Sequence, residues 1–313
     1  MAAIAPVVEH DAPAPVFPRR KRRRIGVYGL LIPSSIVIGV ALGYPLIRQF
    51  IISFQEYGLK QQFGAPPEFV GLKNYTELLT DPYVWTVIGR SIAFCLVNAA
   101  VTMLVGVAFA VLMSRIGKVS RITLQVALLL AWGTPVLASM TVWQWLFDSQ
   151  YGVINWVLAN WFGLEDMAGH SWIIEPLSFY FVATVIVVWM SVPFVAFSIY
   201  ASLLQVPEQT MEAAQLDGAS ARQRFWNITI PMIRPVLSVV LLLQVIWDFK
   251  VFTQIYVLQR AGAPTRETNL LGTLIYSYAD EFSLAGALAT IMLVITLALT
   301  GFYIRKMLKE DEL

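Results

Sequence analysis

Four residues of one apolar stretch, Gln244, Trp247, Asp248 and Val251, stand at the spacing i, i+3, i+4 and i+7. On a helix that spacing gathers side chains on one face. An amide, an indole and a carboxylate side by side can hydrogen-bond hydroxyls and stack on C–H faces. That chemistry suits a sugar, repels an anion and tolerates a cation. Asp248 lies in a run where a lone carboxylate costs about 2.5–3.5 kcal/mol on insertion scales, so it must meet a partner or a wet cavity. Lys250 is near in sequence, but two helical residues point about 200° apart, which makes a direct pair awkward. Two readings stand: a solute-facing surface, or structural pairing of Asp248 and Lys250 with other helices. Val187, Met190, Ser191 and Phe194 repeat the spacing in an earlier run, with Pro193 weakening the local backbone ladder. They form a second wall or gate, or simple helix packing.

Other chemistry is missing from the sequence. No G-x-x-x-x-G-K-[ST] phosphate loop occurs, and Gly117-Lys118 lacks both the upstream glycine and the following Ser or Thr. The single cysteine, Cys95, excludes an intramolecular disulfide, and His10 and His170 are far apart in polar segments. No Ser/His/Asp set or metal-ligand cluster has useful spacing. The expectation is a chain with no catalytic residue, no metal and no cofactor of its own, and so not an enzyme.

The elements that must position these residues are membrane helices. Of the 313 residues 58% are hydrophobic and 13% charged, about half the usual charged share. Six apolar runs are long enough to span a bilayer, roughly 25–53, 84–113, 121–147, 178–204, 235–258 and 283–304. The first exceeds the hydrocarbon thickness, so it tilts or lets Arg48 emerge. With the N-terminus inside, fifteen Lys and Arg fall in inside segments and four in outside loops. That bias predicts a multi-pass membrane protein with both termini cytoplasmic. Residues 1–24, rich in Pro and Ala and ending in the basic run Arg19–Arg24, read as a disordered cytoplasmic tail rather than a nucleic-acid patch. Residues 25–83 hold the first span and an outer loop, 84–304 a core of five spans, and 305–313 a cytoplasmic tail. The tryptophans Trp143, Trp145, Trp156, Trp161 and Trp172 gather near the outer interface as an aromatic belt, one of them being free to stack on a sugar.

One polar segment interrupts the apolar runs, the inside loop 205–234. Pro207 starts a helix over Glu208–Leu216, with Glu208 and Glu212 toward its positive end. Asp217-Gly218 stops it. Ser220 caps a second helix, Ala221 to Ile230, and Pro231 and Pro235 bracket entry into the fifth span. Ala213 and Ala214 leave a face without bulk for another protein, while Phe225 and Trp226 fix the second helix to the membrane domain.

Glu212-Ala213-Ala214, Asp217-Gly218-Ala219, Phe225, Ile228 and Pro231 resemble the EAA loop of permease subunits of binding-protein-dependent ABC importers. Ile230-Pro231 replaces the usual Leu-Pro. Phe69-Val70-Gly71-Leu72-Lys73-Asn74-Tyr75, Trp145-Leu146-Phe147-Asp148 with Gly152 and Asn155, Val251-Phe252 with Ile255-Tyr256-Val257-Leu258, and Gly262-Ala263-Pro264 are similar to the carbohydrate, maltose/trehalose-type branch. Arg90-Ser91 departs from that branch's Asn-Thr. The resemblance implies an all-α polytopic protein of a bacterial inner or plasma membrane, with about six transmembrane helices and a MetI-like permease core.

It also implies that Glu212, Ala213, Ala214, Asp217 and Gly218 couple to an ATPase, and that Gln244, Trp247, Asp248 and Val251 line the solute path; Ser191 and Phe194, by their spacing, are the expected substrate-binding residues of the other wall. The implied partners are a second homologous permease subunit, two cytoplasmic ATPase subunits that bind ATP and Mg, an extracytoplasmic solute-binding protein or lipoprotein, a di- or oligosaccharide such as trehalose or maltose, and membrane lipids, with no nucleic acid. The alternatives are an ABC permease for a non-sugar solute and a secondary transporter using Asp248 and Lys250.

Overall fold

A computed structural model describes residues 25–311, so the 1–24 tail and the last two residues of the 305–313 tail lie outside the described residues. The chain divides into two units, residues 1–48 and 49–313. In the first, α1 (Ile25–Ile38) passes through a π-helical turn, Gly39–Gly43, into α2 (Tyr44–Ile52), which runs on into the second unit.

The second unit is nearly all helix: α3 (Leu59–Gln62), α4 (Lys73–Thr80), α5 (Pro82–Arg115), α6 (Lys118–Gly133), α7 (Val136–Leu146), α8 (Val153–Asn160), α9 (Pro176–Leu203), α10 (Glu208–Leu216), α11 (Ala221–Arg224), α12 (Ile230–Phe249), α13 (Thr253–Arg260), α14 (Thr265–Thr268), α15 (Leu271–Ser277) and α16 (Phe282–Asp311). Gln55–Glu56 and Glu68–Phe69 pair antiparallel, Gln55 opposite Phe69. Asn74 clamps this small structure by donating to the Ser53 and Gln55 carbonyls at 2.9 and 3.0 Å.

Five helical runs among the described residues are long and apolar enough to cross a bilayer, and a sixth crossing is a broken one. The run expected over 121–147 consists of α6 and α7, bent by 103°. The break falls at Gly133-Thr134-Pro135. Proline has no N–H to continue the ladder and pushes the preceding residue toward extended backbone, and Thr134 has ψ 127°. The last span overruns its expected end at 304: α16 continues to Asp311 through residues assigned to a tail.

The fifth span differs most from expectation. It begins far earlier than 235, because α11, a π-turn at Phe225–Thr229 and α12 form one continuous helix. The second loop helix is therefore the foot of the span. A prolyl ring inside a helix clashes with the carbonyl four residues before it, here Asn227 for Pro231. The π-turn widens the ladder at that point, so the helix passes the proline unbroken. The same device precedes Pro45, whose clashing residue, Ala41, lies in the π-turn Gly39–Gly43. At its other end α12 stops at Phe249, and α13 resumes at Thr253.

The core is an α5–α9–α12 packing with α6, α15 and α16 around it. Met113, Val195, Ile199, Ile233 and Val240 fill one end, and Phe94, Phe179, Ile186, Ile255 and Leu258 fill the other. In a bilayer close van der Waals fit, more than escape from water, holds such helices together. Gly106 permits the close approach of α5 and α9, since a Cβ built there would stand 2.4 Å from Val195 Cγ1.

Candidate coupling loop and translocation face

The loop between α9 and α12 is built by local rules. Glu208 lies in the first turn of α10, where the helix dipole favours an acid. The helix ends in a Schellman motif: Ala219 N–H donates to the Ala214 carbonyl at 2.9 Å and Gly218 N–H to Gln215 at 3.1 Å. Gly218 takes φ +80°, the left-handed conformation that the motif needs. Ser220 then forms a capping box with Gln223, at 3.3 and 2.8 Å. Arg224 donates to Gln215 Oε1 at 2.6 Å, joining the end of α10 to the foot of the long helix.

Burial divides α10 lengthwise. Met211 and Ala214 are half-buried toward the bundle, and Thr229 Oγ1 meets Met211 Sδ at 4.0 Å. Glu212, Ala213, Gln215, Leu216, Asp217 and Gly218 are exposed, Leu216 at 90%. Four of the five residues assigned to coupling thus share open surface, and Ala214 lies at its edge. Phe225 packs as expected, half-buried, whereas Trp226 is 58% exposed and does not anchor the helix.

The residues assigned to the solute path do not share one face. Gln244 and Asp248 are buried, and Gln244 Nε2 donates to Asp248 Oδ1 at 2.9 Å. They lie against α5, whose Cys95 Sγ donates to the Val245 carbonyl at 3.3 Å. Trp247 is 47% exposed. The face divides because consecutive helical residues diverge by about 100°, and the packing boundary passes between Trp247 and Asp248. Val251 lies beyond the end of α12, buried in an apolar cluster with Ile255 and Phe179, so its i+7 relation is lost. Lys250 is exposed while Asp248 is buried, and no ion pair joins them among the described residues.

On α9, Ser191 and Phe194 are half-buried, Val187 is buried in the core, and the helix continues through Pro193 without a break. Gln254 donates to Met190 Sδ at 3.6 Å. The Phe194 ring stands edge-on to Trp247 with centroids 5.0 Å apart and 6.5 Å from Trp132 of α6. Trp132, 54% exposed, was not among the expected residues. Its sequence signal is the adjacent Gly133-Thr134-Pro135, because a helix broken at membrane depth marks backbone that lines a cavity or is buried in protein. Trp132, Phe194 and Trp247 therefore form an aromatic stripe across three helices. Behind it, Gln244 Oε1, Asp248 Oδ2, Asn98 Oδ1 and Thr102 Oγ1 are buried without hydrogen-bond partners among the described residues.

At the far end of the bundle, Asp148 Oδ1 accepts from the backbone N–H of Gln150 and Tyr151 at 2.9 and 2.8 Å. Those two bonds hold its carboxyl below the usual carboxylate range. Asn155 bridges this turn to the His170 carbonyl at 2.8 Å and accepts from the Trp172 indole. Trp172 is half-buried among Phe147, Phe181 and His170, and Trp143 stacks on Phe147, so these two form inner packing. Trp145, Trp156 and Trp161 are exposed. Arg90 donates to the Arg266 carbonyl at 3.0 Å, and Ser91 Oγ accepts from Leu271 N–H at 2.8 Å. The pair that departs from the carbohydrate-branch pattern thus pins the segment before α15 to α5.

Residues 103–310 match the model of the binding-protein-dependent transport system inner membrane component family. Over 290 residues the chain is 41% identical to the diacetylchitobiose uptake system permease protein DasB of Streptomyces coelicolor, covering 91% of this chain and 87% of that protein. It is 29% identical over 280 residues to the trehalose/maltose transport system permease protein MalF of Thermococcus litoralis, covering 89% and 92%. Its fold matches a chain of a bacterial ABC transporter involved in import of the acidic polysaccharide alginate, with TM-score 0.78, 20% identity and coverage of 92% and 96%. Five to six apolar helices, a polar helical loop at the foot of a continuous span and these matches have one conclusion: the chain belongs to the family of binding-protein-dependent transport system inner membrane components.

Proposed function

We propose that this chain forms half of the translocation path of an ATP-driven importer for a di- or oligosaccharide, driven through the loop at Glu212–Gly218 by a separate ATPase subunit. The observation that carries it is the loop's geometry. α10 exposes Glu212, Ala213 and Leu216, and Arg224 ties its end to a helix running unbroken to Phe249. A push on α10 reaches Trp247 through rigid helix. The expected assembly has a second related permease, two ATPase subunits that hold ATP and Mg, and an extracytoplasmic solute-binding protein, with both termini of this chain cytoplasmic. The sugar reading is supported by the diacetylchitobiose and trehalose/maltose relatives and by the aromatic stripe beside Gln244 and Asp248.

A cysteine at Ala213, in the assembled transporter, tests the coupling reading. It should crosslink to the ATPase subunit and, once crosslinked, arrest sugar uptake. Uptake by the purified chain without an ATPase, down an ion gradient in liposomes, would overturn it.

A further inference from the structure

A cavity of about 520 Å³ lies on the bundle side of α10, away from its exposed face. Val111, Ser114 and Arg115 of α5 and Leu203 and Leu204 at the end of α9 form one wall. Glu208 and Met211 of α10, with Arg224, Phe225 and Thr229 of the long helix, form the other. α5 and α9 both end here, so the cavity lies where membrane helices leave the bilayer. Its charged groups are two guanidinium groups and one carboxylate. Arg115 makes no hydrogen bond or ion pair among the described residues, and Arg224 reaches only Gln215. Glu208 forms no ion pair with either arginine among the described residues. The rest of the lining is largely apolar, and Leu204 is 64% exposed at the rim.

We infer that this cavity binds the phosphate of a phospholipid headgroup, which wedges between the coupling helix and the bundle. Guanidinium groups pair with phosphate oxygens. Basic pockets between membrane helices at the bilayer surface take lipid headgroups in this way. Free phosphate shares that chemistry, but the apolar wall of Val111, Leu203, Leu204 and Met211 gives it nothing and gives an acyl chain a surface. Glu208 favours a headgroup with an ammonium beside its phosphate, as in phosphatidylethanolamine. The inference does not depend on which face of the membrane this is, nor on the coupling reading.

The test is phospholipid retention by the full-length chain, purified in detergent with the subunits that accompany it and read by mass spectrometry of the intact assembly. Arg115 is the clean position, because Arg224 also holds Gln215. Arg115→Gln should retain about tenfold less phospholipid, the scale of one lost charge-assisted bond. Arg115→Lys should keep most of it, and Arg222→Gln, at a nearby exposed arginine outside the cavity, should change nothing. In nanodiscs, phosphatidylethanolamine should be retained over phosphatidylcholine. Equal retention by wild type and Arg115→Gln would overturn the site. Displacement of the lipid by millimolar inorganic phosphate would overturn the lipid assignment. Lipid retention is measured without transport, so its failure is distinct from failure of the coupling reading.

Discussion

Arg224 donates to the Gln215 side chain across 2.6 Å, and this one bond joins the last turn of the exposed helix α10 to the foot of the helix that becomes the fifth span. Charge-assisted bonds of this kind contribute roughly 1.5–3 kcal/mol when well shielded and less when exposed. Gln215→Ala should therefore leave folding and assembly intact but loosen coupling. The expected readout is ATP hydrolysis in proteoliposomes at near wild-type rate with sugar uptake several-fold lower. Uptake and hydrolysis falling in proportion would sink this role.

Gly218 holds φ +80° at the stop of α10. A residue with a Cβ pays about 1–2 kcal/mol there, whereas asparagine adopts the conformation more readily. Gly218→Val should lower transport and crosslinking at Ala213, and Gly218→Asn should restore much of both. Equal behaviour of the two variants would show that the turn's conformation does not matter.

Gln244 donates one hydrogen bond to Asp248 inside the bundle, and each keeps a second oxygen without a partner among the described residues. Asp248→Asn keeps a polar acceptor opposite Gln244, and its melting temperature should match or exceed that of wild type. Asp248→Leu strands the Gln244 amide and should cost about 1–3 kcal/mol, read as a lower melting temperature in detergent. If Asp248→Leu melts no lower than wild type, the pair is not structural.

Trp247 and Trp132 are both about half exposed on either side of Phe194. If they stack on sugar, alanine at either position should raise the KM for uptake several-fold, on the scale of an aromatic pair at about 0.5–1.5 kcal/mol, with little change in thermal stability. A drop in stability with unchanged KM would make the stripe a packing surface.

The Asp148 turn gives a pH dependence of defined sign. Its carboxyl is held down by the N–H groups of Gln150 and Tyr151, so its contribution is complete above the unfolded carboxylate range, about 3.9, and is lost as pH falls through the lower folded value. Asp148→Asn should flatten the acid limb of this turn's protease resistance and leave neutral-pH behaviour nearly unchanged. An unaltered acid limb would remove Asp148 as its origin.

Much of this architecture is local and so is legible in the sequence. Hydropathy alone locates the spans, because in a bilayer a run of apolar residues long enough to cross has no other stable place. Helix α10 falls at Glu208–Leu216 as its proline and glycine require, and Ser220 with Gln223 makes the capping box that its position predicts. Each of these depends on residues within one or two turns of each other.

What lay beyond the sequence depends on neighbours far along the chain. Periodicity places Gln244, Trp247 and Asp248 near one another, but only the packing of α5 against α12 buries Gln244 and Asp248 and leaves Trp247 beside Phe194. Hydropathy does not distinguish a straight span from the 103° break between α6 and α7, since both are equally apolar. Pro231 in the sequence reads as a boundary, and the π-turn that carries the helix past it becomes evident only in the backbone. The sequence by itself determined which segments are apolar enough to enter the membrane and where the polar loop turns, because those are set by residue type and local hydrogen bonding. Tertiary structure decided which side of each helix is open and that the second loop helix and the fifth span are one continuous helix, because burial and continuity depend on surfaces that meet only in the folded chain.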